Sequence, residues 1–180
     1  MHTADNNDYY YNRVLLDCGT NCDQALGIIL RGASDPFGPT TNVNVVHNTV
    51  KVTGSTSDAF VCSRACPTST SAEDNIFRAG RTGAQIDAAG VDHGGNLFEG
   101  NSLDYYGFTI NAESKTGEPG FVSTTNLHLA SGTSPAAEYA GSAQIGYTTD
   151  LDGVTVPQNG NCSGGNWADS GAYEYDPPGC

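Results

Sequence analysis

A short phrase recurs along the chain and limits the folds that are open to it. In each copy an asparagine is followed by apolar or β-branched residues and then by glycine or asparagine. The copies begin at Asn12, Asn48, Asn75 and Asn96, which gives spacings of 36, 27 and 21 residues. Repeats of roughly 20 to 50 residues are typical of solenoids, in which one repeat cannot close a core and successive repeats must stack.

The segments between these phrases predict short strands. ALGIILRG, NVNVVH, DAFVCSR and AQIDAAG are each bounded by Gly, Pro, Ser or Asp. We therefore expect each coil of the stack to hold two or three strands, with Val, Ile, Leu and Phe in one buried column. The four asparagines are expected to share one corner, where Asn tolerates left-handed backbone, and to hydrogen-bond to one another as a ladder.

Composition agrees with an all-β fold and argues against some partners. The 180 residues suffice for one domain with a core, and 23 glycines with only 15% charged residues favour turns and strands over helices. The net charge is −13, whereas phosphate binding needs clustered Lys and Arg, so nucleic acid and anionic membranes are not expected partners. The longest apolar run, ALGIIL at 25–30, is too short for a membrane span.

The cysteines are even in number, and two pairs repeat a C-x-x-x-C spacing, in CGTNC and CSRAC. Disulfides 18–22, 62–66 and 162–180 are the simplest pairing, although other pairings are open. Zinc is the alternative, but structural zinc sites usually have tighter spacing. Disulfides indicate an oxidising compartment and so an extracellular or cell-surface location. The six cysteines are Cys18, Cys22, Cys62, Cys66, Cys162 and Cys180.

Two parts of the sequence resemble a known class of proteins. VNVVHNTVKVTG and GGNLFEGN resemble repeats of right-handed parallel β-helix proteins of the pectate-lyase-like class. Over roughly 60 residues, EPGFVSTTNLHLASGTSPAAEYAG, TDLDGVTVP and DSGAYEY resemble, in order, the segment that ends many large secreted bacterial β-helix proteins. The resemblance implies an all-β fold: a short right-handed parallel β-helix, or single-stranded solenoid, over 1–112, and an irregular cap over 113–180 of the same domain.

The C-terminal part of the chain is expected to cover the open end of the last coil. Ser134 followed by proline reads as the start of a short helix that stops at Gly141. Trp167, Tyr173 and Tyr175 are expected to pack over that coil. Such a cover satisfies edge strands and prevents end-to-end association.

The resemblance also implies a shallow polysaccharide groove along one sheet, with Lys or Arg as the base of a lyase and calcium held by Asp and Glu. The densest candidate cluster lies at 77–101. Its members could form a base beside a cation site if stacking brings them together. The alternative is that the arginines pair with carboxylates of neighbouring coils, which contributes roughly 0–1 kcal/mol for an exposed pair. The candidate catalytic residues are Arg78, Arg81, Asp92, His93 and Glu99.

Other side chains are candidates for ligand binding. Tyr105 and Tyr106 could offer stacking platforms for sugar rings. Lys51 alternates outward in its strand and could face a sugar groove, although exposed strand lysines usually guard solubility. His47 is interpreted as a surface or corner residue, and His128, between two core leucines, should point outward.

The turn TDLDG offers carboxylates at alternate positions, as calcium loops do, but it lacks the further ligands of an EF-hand. Calcium bound by Asp150 and Asp152 is therefore one interpretation, and the only cofactor considered. The other is that Asp150 caps backbone amides of the turn.

Two functions follow from these features. The first is an extracellular β-helix scaffold, adhesin or polysaccharide-binding module without catalysis. The second is a small enzyme acting on an acidic polysaccharide, a lyase more than a hydrolase. Few basic residues and a short stack favour the first. The expected partner is a polysaccharide or cell-surface glycan, with self-association through the N-terminal coil as a further hypothesis.

Overall fold

The computed structural model describes residues 8–19, 24–32, 34, 41–67, 69–88, 90–136, 148–156 and 168–175. Within these residues the chain forms thirteen strands and no helix. The strands are β1 (Asp8–Tyr10), β2 (Arg13–Leu16), β3 (Leu26–Arg31), β4 (Asn44–Val46), β5 (Thr49–Val52), β6 (Asp58–Ser63), β7 (Ser71–Glu73), β8 (Ile76–Ala79), β9 (Thr82–Ile86), β10 (Asp92–Gly94), β11 (Leu97–Gly100), β12 (Leu103–Tyr106) and β13 (Lys115–Thr116).

The strands form three parallel sheets, and every third strand returns to the same sheet. The first sheet has the order β1-β4-β7-β10, the second β2-β5-β8-β11-β13 and the third β3-β6-β9-β12. One passage through the three sheets is called a coil, and the strands β1 to β12 make four coils. The predicted all-β class is confirmed, and the parallel sheets are compatible with a parallel β-helix-like fold. No helix in the described part of the chain is long and apolar enough to cross a membrane.

The interior is a column of apolar side chains, as expected. Phe60, Phe77 and Phe98 stack on one another with ring centroids 4.8 and 5.9 Å apart, and all three are fully buried. Phe108 ends the column edge-on to Phe98 at 5.6 Å, and Tyr105 lies 5.4 Å from Phe108. Residues of the last coil itself therefore pack against the end of the aromatic column.

The predicted asparagine ladder is confirmed. Each asparagine of the series donates its side-chain amide to the side-chain oxygen of the next one at 2.9 Å. The donors are Asn12, Asn48 and Asn75, and Asn96 is the last acceptor. The backbone N–H of each donor residue binds the same oxygen, also at 2.9 Å. Each accepting oxygen thus holds two N–H groups of the preceding coil.

The left-handed residue at this corner is not the asparagine but the residue before it. Tyr11, His47 and Asp74 have φ of 48°, 51° and 55°, and Gly95 has φ of 66°. This backbone turn directs each asparagine side chain along the stack. His47 therefore lies at the corner, which is one of the two placements expected for it, and it is only 3% exposed.

Residues 121–136 and 168–175, here called the outer segment, cover the outer face of the second sheet. Ile76 and Leu97 point away from the main core and need this cover, since exposed apolar side chains are unfavourable in water. The central strands β5 and β8 of the second sheet are thus covered on both faces. The outer cluster contains Ile76, Leu97, Phe121, Leu127, Leu129, Ala136, Ala172, Tyr173 and Tyr175.

The last eight described residues are tied to successive coils. Gly171 donates its N–H to the carbonyl of Asp74 at 2.7 Å, and Ala172 donates to the hydroxyl of Thr49 at 2.8 Å. The hydroxyl of Ser170 donates to the carbonyl of Gly95. Within the predicted cap, β13 extends the second sheet beside β11. The outer segment instead runs along the side of the stack, whereas the sequence predicted that it would cover the open end.

Some sequence predictions fall outside the described residues. The Cys62–Cys66 disulfide is confirmed, and Cys18 is disulfide-bonded. The predicted partners of the remaining pairs, Cys22, Cys162 and Cys180, are outside this part of the chain, as is Trp167. Most of the helix predicted from Ser134 to Gly141 falls on residues that are not described. Its first three residues, Ser134 to Ala136, are described and form a turn.

We expect Asn75→Ala to lower the free energy of unfolding by about 3 kcal/mol or more, because it leaves several buried polar groups without partners. Asn75 is fully buried, and its amide also donates to the carbonyls of Val45 and Glu73. Urea unfolding with the disulfides intact measures the loss. Asn12→Ala, at the exposed end of the ladder, is the matched control and should cost about 1 kcal/mol. Equal losses would contradict the ladder's role.

Candidate ligand-binding groove

A groove of about 540 Å³ opens where the strands of the second sheet turn toward the third. Its floor is formed by the ends of β5 and β8, and one wall comes from the outer segment through Thr124. The turns after β5, β8 and β11 supply most of the remaining residues. The groove is lined by Lys51, Val52, Thr53, Gly54, Ser55, Arg78, Ala79, Gly80, Asn101, Ser102 and Thr124.

The glycine that ends each repeated phrase shapes this corner. A Cβ on Gly80 would lie 2.0 Å from the carbonyl oxygen of Gly54, and one on Gly100 would lie 2.1 Å from that of Leu103. No side chain fits at either distance. The backbones of adjacent turns therefore pack directly, and short hydroxyl and amide side chains line the space beside them.

The register of the second sheet places three charged residues in one outward row. Lys51 pairs with Arg78, and Arg78 pairs with Glu99. Because neighbouring strands lie about 4.8 Å apart and residues in register share a face, these side chains are adjacent outside the core. Two of the five candidate catalytic residues, Arg78 and Glu99, are thus brought together beside Lys51.

Arg78 is paired with two carboxylates. Its Nε lies 2.5 Å from Oε2 of Glu99, and its Nη2 lies 2.7 Å from Oε2 of Glu118. Burial raises the pKa of Glu99, while the hydrogen bond and charge of Arg78 act in the opposite direction. Arg78 and Glu99 therefore form an ion pair between neighbouring coils, which was the expected alternative to a catalytic cluster.

Lys51 points outward, as its strand alternation indicates, but it is not an exposed lysine. It is 5% exposed because the outer segment lies over it. Its Nζ donates to the carbonyl of Thr124 at 2.8 Å and stands 5.8 Å from the centre of the Phe121 ring. Burial lowers the pKa of Lys51, and the charge of Arg78 lowers it further, against the opposing effect of Glu118 and Glu99.

Arg81 lies outside the row and is paired with the buried carboxylate of Asp58. This hydrogen bond raises the pKa of Arg81 and keeps its guanidinium charged. Arg81 stands between the second and third sheets, whereas Asp92 and His93 belong to β10 of the first sheet. The fold does not assemble these three residues into one site.

Asp92 terminates the asparagine ladder. Its Oδ1 accepts the amide of Asn96 at 2.8 Å and the hydroxyl of Ser114 at 2.7 Å, and its Oδ2 accepts the N–H of Asn111 at 2.7 Å. The carboxylate is buried and its hydrogen bonds are all made within the fold. Neighbouring His93 is exposed.

The two candidate tyrosines lie away from the groove. Tyr105 packs on the aromatic column, so its ring is occupied within the fold. Tyr106 is 58% exposed on the outer face of the third sheet. Neither tyrosine lines the groove.

Asp150 uses its carboxylate to hold backbone amides, which is the capping role expected as the alternative to calcium binding. Its Oδ1 accepts the N–H groups of Asp152 at 2.9 Å and Val154 at 2.8 Å, and its Oδ2 accepts that of Glu174 at 2.9 Å. Asp152 lies 2.6 Å from Nε2 of His128, which is partly exposed. Among the residues described, no group of three or more His, Cys, Asp or Glu side chains is arranged to hold a metal ion.

Four residues that line the groove, Thr53, Ser55, Asn101 and Ser102, were not predicted from the sequence, and neither was Glu118. A signal for most of them was present, because each follows or flanks the glycine of a repeated phrase. Comparison with known proteins finds no matching family model, no matching curated sequence and no matching solved structure.

The lowered pKa of Lys51 predicts a pH-dependent contribution to stability. The unfolded chain holds this proton more tightly than the folded one, so the contribution of Lys51 to the free energy of unfolding rises as the pH approaches 10.5. As the pH approaches 10.5, the free energy of unfolding of the wild type minus that of Lys51→Met should rise by less than ~1.4 kcal/mol per pH unit.

Urea unfolding at a series of alkaline pH values measures this difference. Exposed Thr109→Ala is the control, because neither the native nor the substituted side chain titrates in this range. Its difference from the wild type should stay constant with pH. A constant difference for Lys51→Met as well would contradict the shifted pKa.

Proposed function

We propose that the chain is a right-handed parallel β-helix module of an extracellular or cell-surface protein, and that it binds a polysaccharide without catalysis. The three parallel sheets and the return of every third strand support the solenoid. Right-handed winding is expected because about 98% of crossovers between parallel strands of one sheet have that hand. The Cys62–Cys66 disulfide supports an oxidising location.

The observation that carries the binding function is the chemistry of the groove. Its hydroxyl and amide side chains on Ser55, Asn101 and Ser102 can each both donate and accept hydrogen bonds. Sugar hydroxyl groups have the same property. The volume of about 540 Å³ lies within the usual range for small-molecule sites.

The absence of catalysis is proposed because four of the five candidate catalytic groups, all except His93, are held by partners within the fold. Arg78 binds two carboxylates, Arg81 binds Asp58, and Asp92 accepts four hydrogen bonds from the fold. A general base must reach the proton that it removes. These residues would first have to give up buried or partly buried partners.

A polysaccharide lyase is the second candidate function, and it is favoured by the buried position of Lys51 beside Arg78. A buried lysine with a lowered pKa is a suitable general base, and it lies beside Arg78, which could neutralise a uronate carboxylate. Against this role, its amine already donates to the carbonyl of Thr124.

Binding is tested with the double variant Asn101→Ala/Ser102→Ala. Both side chains are exposed and their structural hydrogen bonds are made by backbone N–H groups, so the fold should be retained. Calorimetric titration with a panel of soluble oligosaccharides should show binding by the wild type and roughly tenfold weaker binding by the variant. Exposed Thr109→Ala, outside the groove, is the control. Absence of binding to any glycan would reject the proposal.

Catalysis is tested by incubating the wild type with polyuronates and following the ultraviolet absorbance of the unsaturated product. We expect no product, because the amine of Lys51 is occupied and Arg78 is paired. Product that is lost in both Lys51→Met and Arg78→Ala would instead establish the lyase.

A further inference from the structure

We propose that the groove selects uncharged glycans and disfavours chains of uronic acids. This inference rests on the proposed glycan-binding function and names its ligand class. It comes from the balance of charge around the groove, which is less positive than the presence of Lys51 and Arg78 suggests.

The two cations in the groove are compensated at short range. Arg78 binds Glu99 and Glu118 at 2.5 and 2.7 Å, and both carboxylates also act on the charge of Lys51. Asp104 adds a further negative charge close enough to raise the pKa of Glu99. The charged groups in and beside the groove are therefore two positive and three negative: Lys51 and Arg78 against Glu99, Glu118 and Asp104.

The turns beside the groove do not restore a positive excess. Asp17 accepts the hydroxyl of the lining residue Thr53 at 2.6 Å. Arg81, next to the lining residue Gly80, is neutralised by Asp58. The chain as a whole carries a net charge of −13, so longer-range fields also repel anions.

A uronate carboxylate would enter this environment at a cost. It would have to compete with two carboxylates for Arg78, and breaking a partly buried ion pair leaves charges without partners. A sugar hydroxyl avoids this cost, because it can accept a hydrogen bond from Arg78 and donate one to Asn101 or Ser102 of the groove lining without displacing either carboxylate. The groove therefore fits neutral hexose chains.

The test compares neutral hexose oligosaccharides with uronic acid oligosaccharides of the same length and linkage, at low ionic strength. The wild type should bind the neutral series more tightly. Glu118→Gln removes a carboxylate that is 55% exposed, so the fold should tolerate it. It should raise the affinity for the uronic series roughly two- to fivefold and leave the neutral series nearly unchanged.

Glu113→Gln is the matched control, because Glu113 is exposed and its electrostatic contact is with Glu73 of the first sheet. It should not change either affinity. Tighter binding of the uronic series by the wild type would overturn the selectivity and leave the proposed binding function standing. Equal effects of the two substitutions would also overturn it, and a lack of binding in both series would reject both proposals.

Discussion

The asparagine ladder is the interaction on which the rest of the structure depends. Its side-chain oxygens each accept two N–H groups of the preceding coil, in a corner from which water is excluded. Unpaired polar groups at such a position are costly, so a shift of one coil against the next would break several bonds at once. The ladder immediately precedes the strands of the second sheet. The register that aligns Lys51, Arg78 and Glu99 therefore follows from it.

The two ends of the repeated phrase form two different corners. The asparagine end makes the ladder, and the glycine end makes the turns beside the groove. At the glycine end, Gly80 and Gly100 allow backbone to approach backbone where any Cβ would clash. One repeated sequence pattern thus provides both the register of the stack and a surface of backbone and short polar side chains.

Local features of the sequence predicted local features of the fold. The ladder, the strands in ALGIILRG, NVNVVH, DAFVCSR and AQIDAAG, and the Cys62–Cys66 disulfide depend on short spacings, and these predictions are confirmed. The side placement of the outer segment and the burial of Lys51 were not predicted. Lys51 meets Thr124, 73 residues away, and strand alternation shows only that a side chain points outward, not what later covers it. The left-handed residue was assigned one position late, because asparagine is itself common in that conformation.

The outer segment is part of the site under either proposed function. It supplies Thr124 to the wall of the groove, and through the carbonyl of the same residue it occupies the amine of Lys51. Burial beneath this segment lowers the pKa of Lys51, as a general base requires. The same contact keeps the amine from a substrate. Any catalysis through Lys51 would therefore need this part of the segment to move, whereas binding in the groove needs it to stay in place.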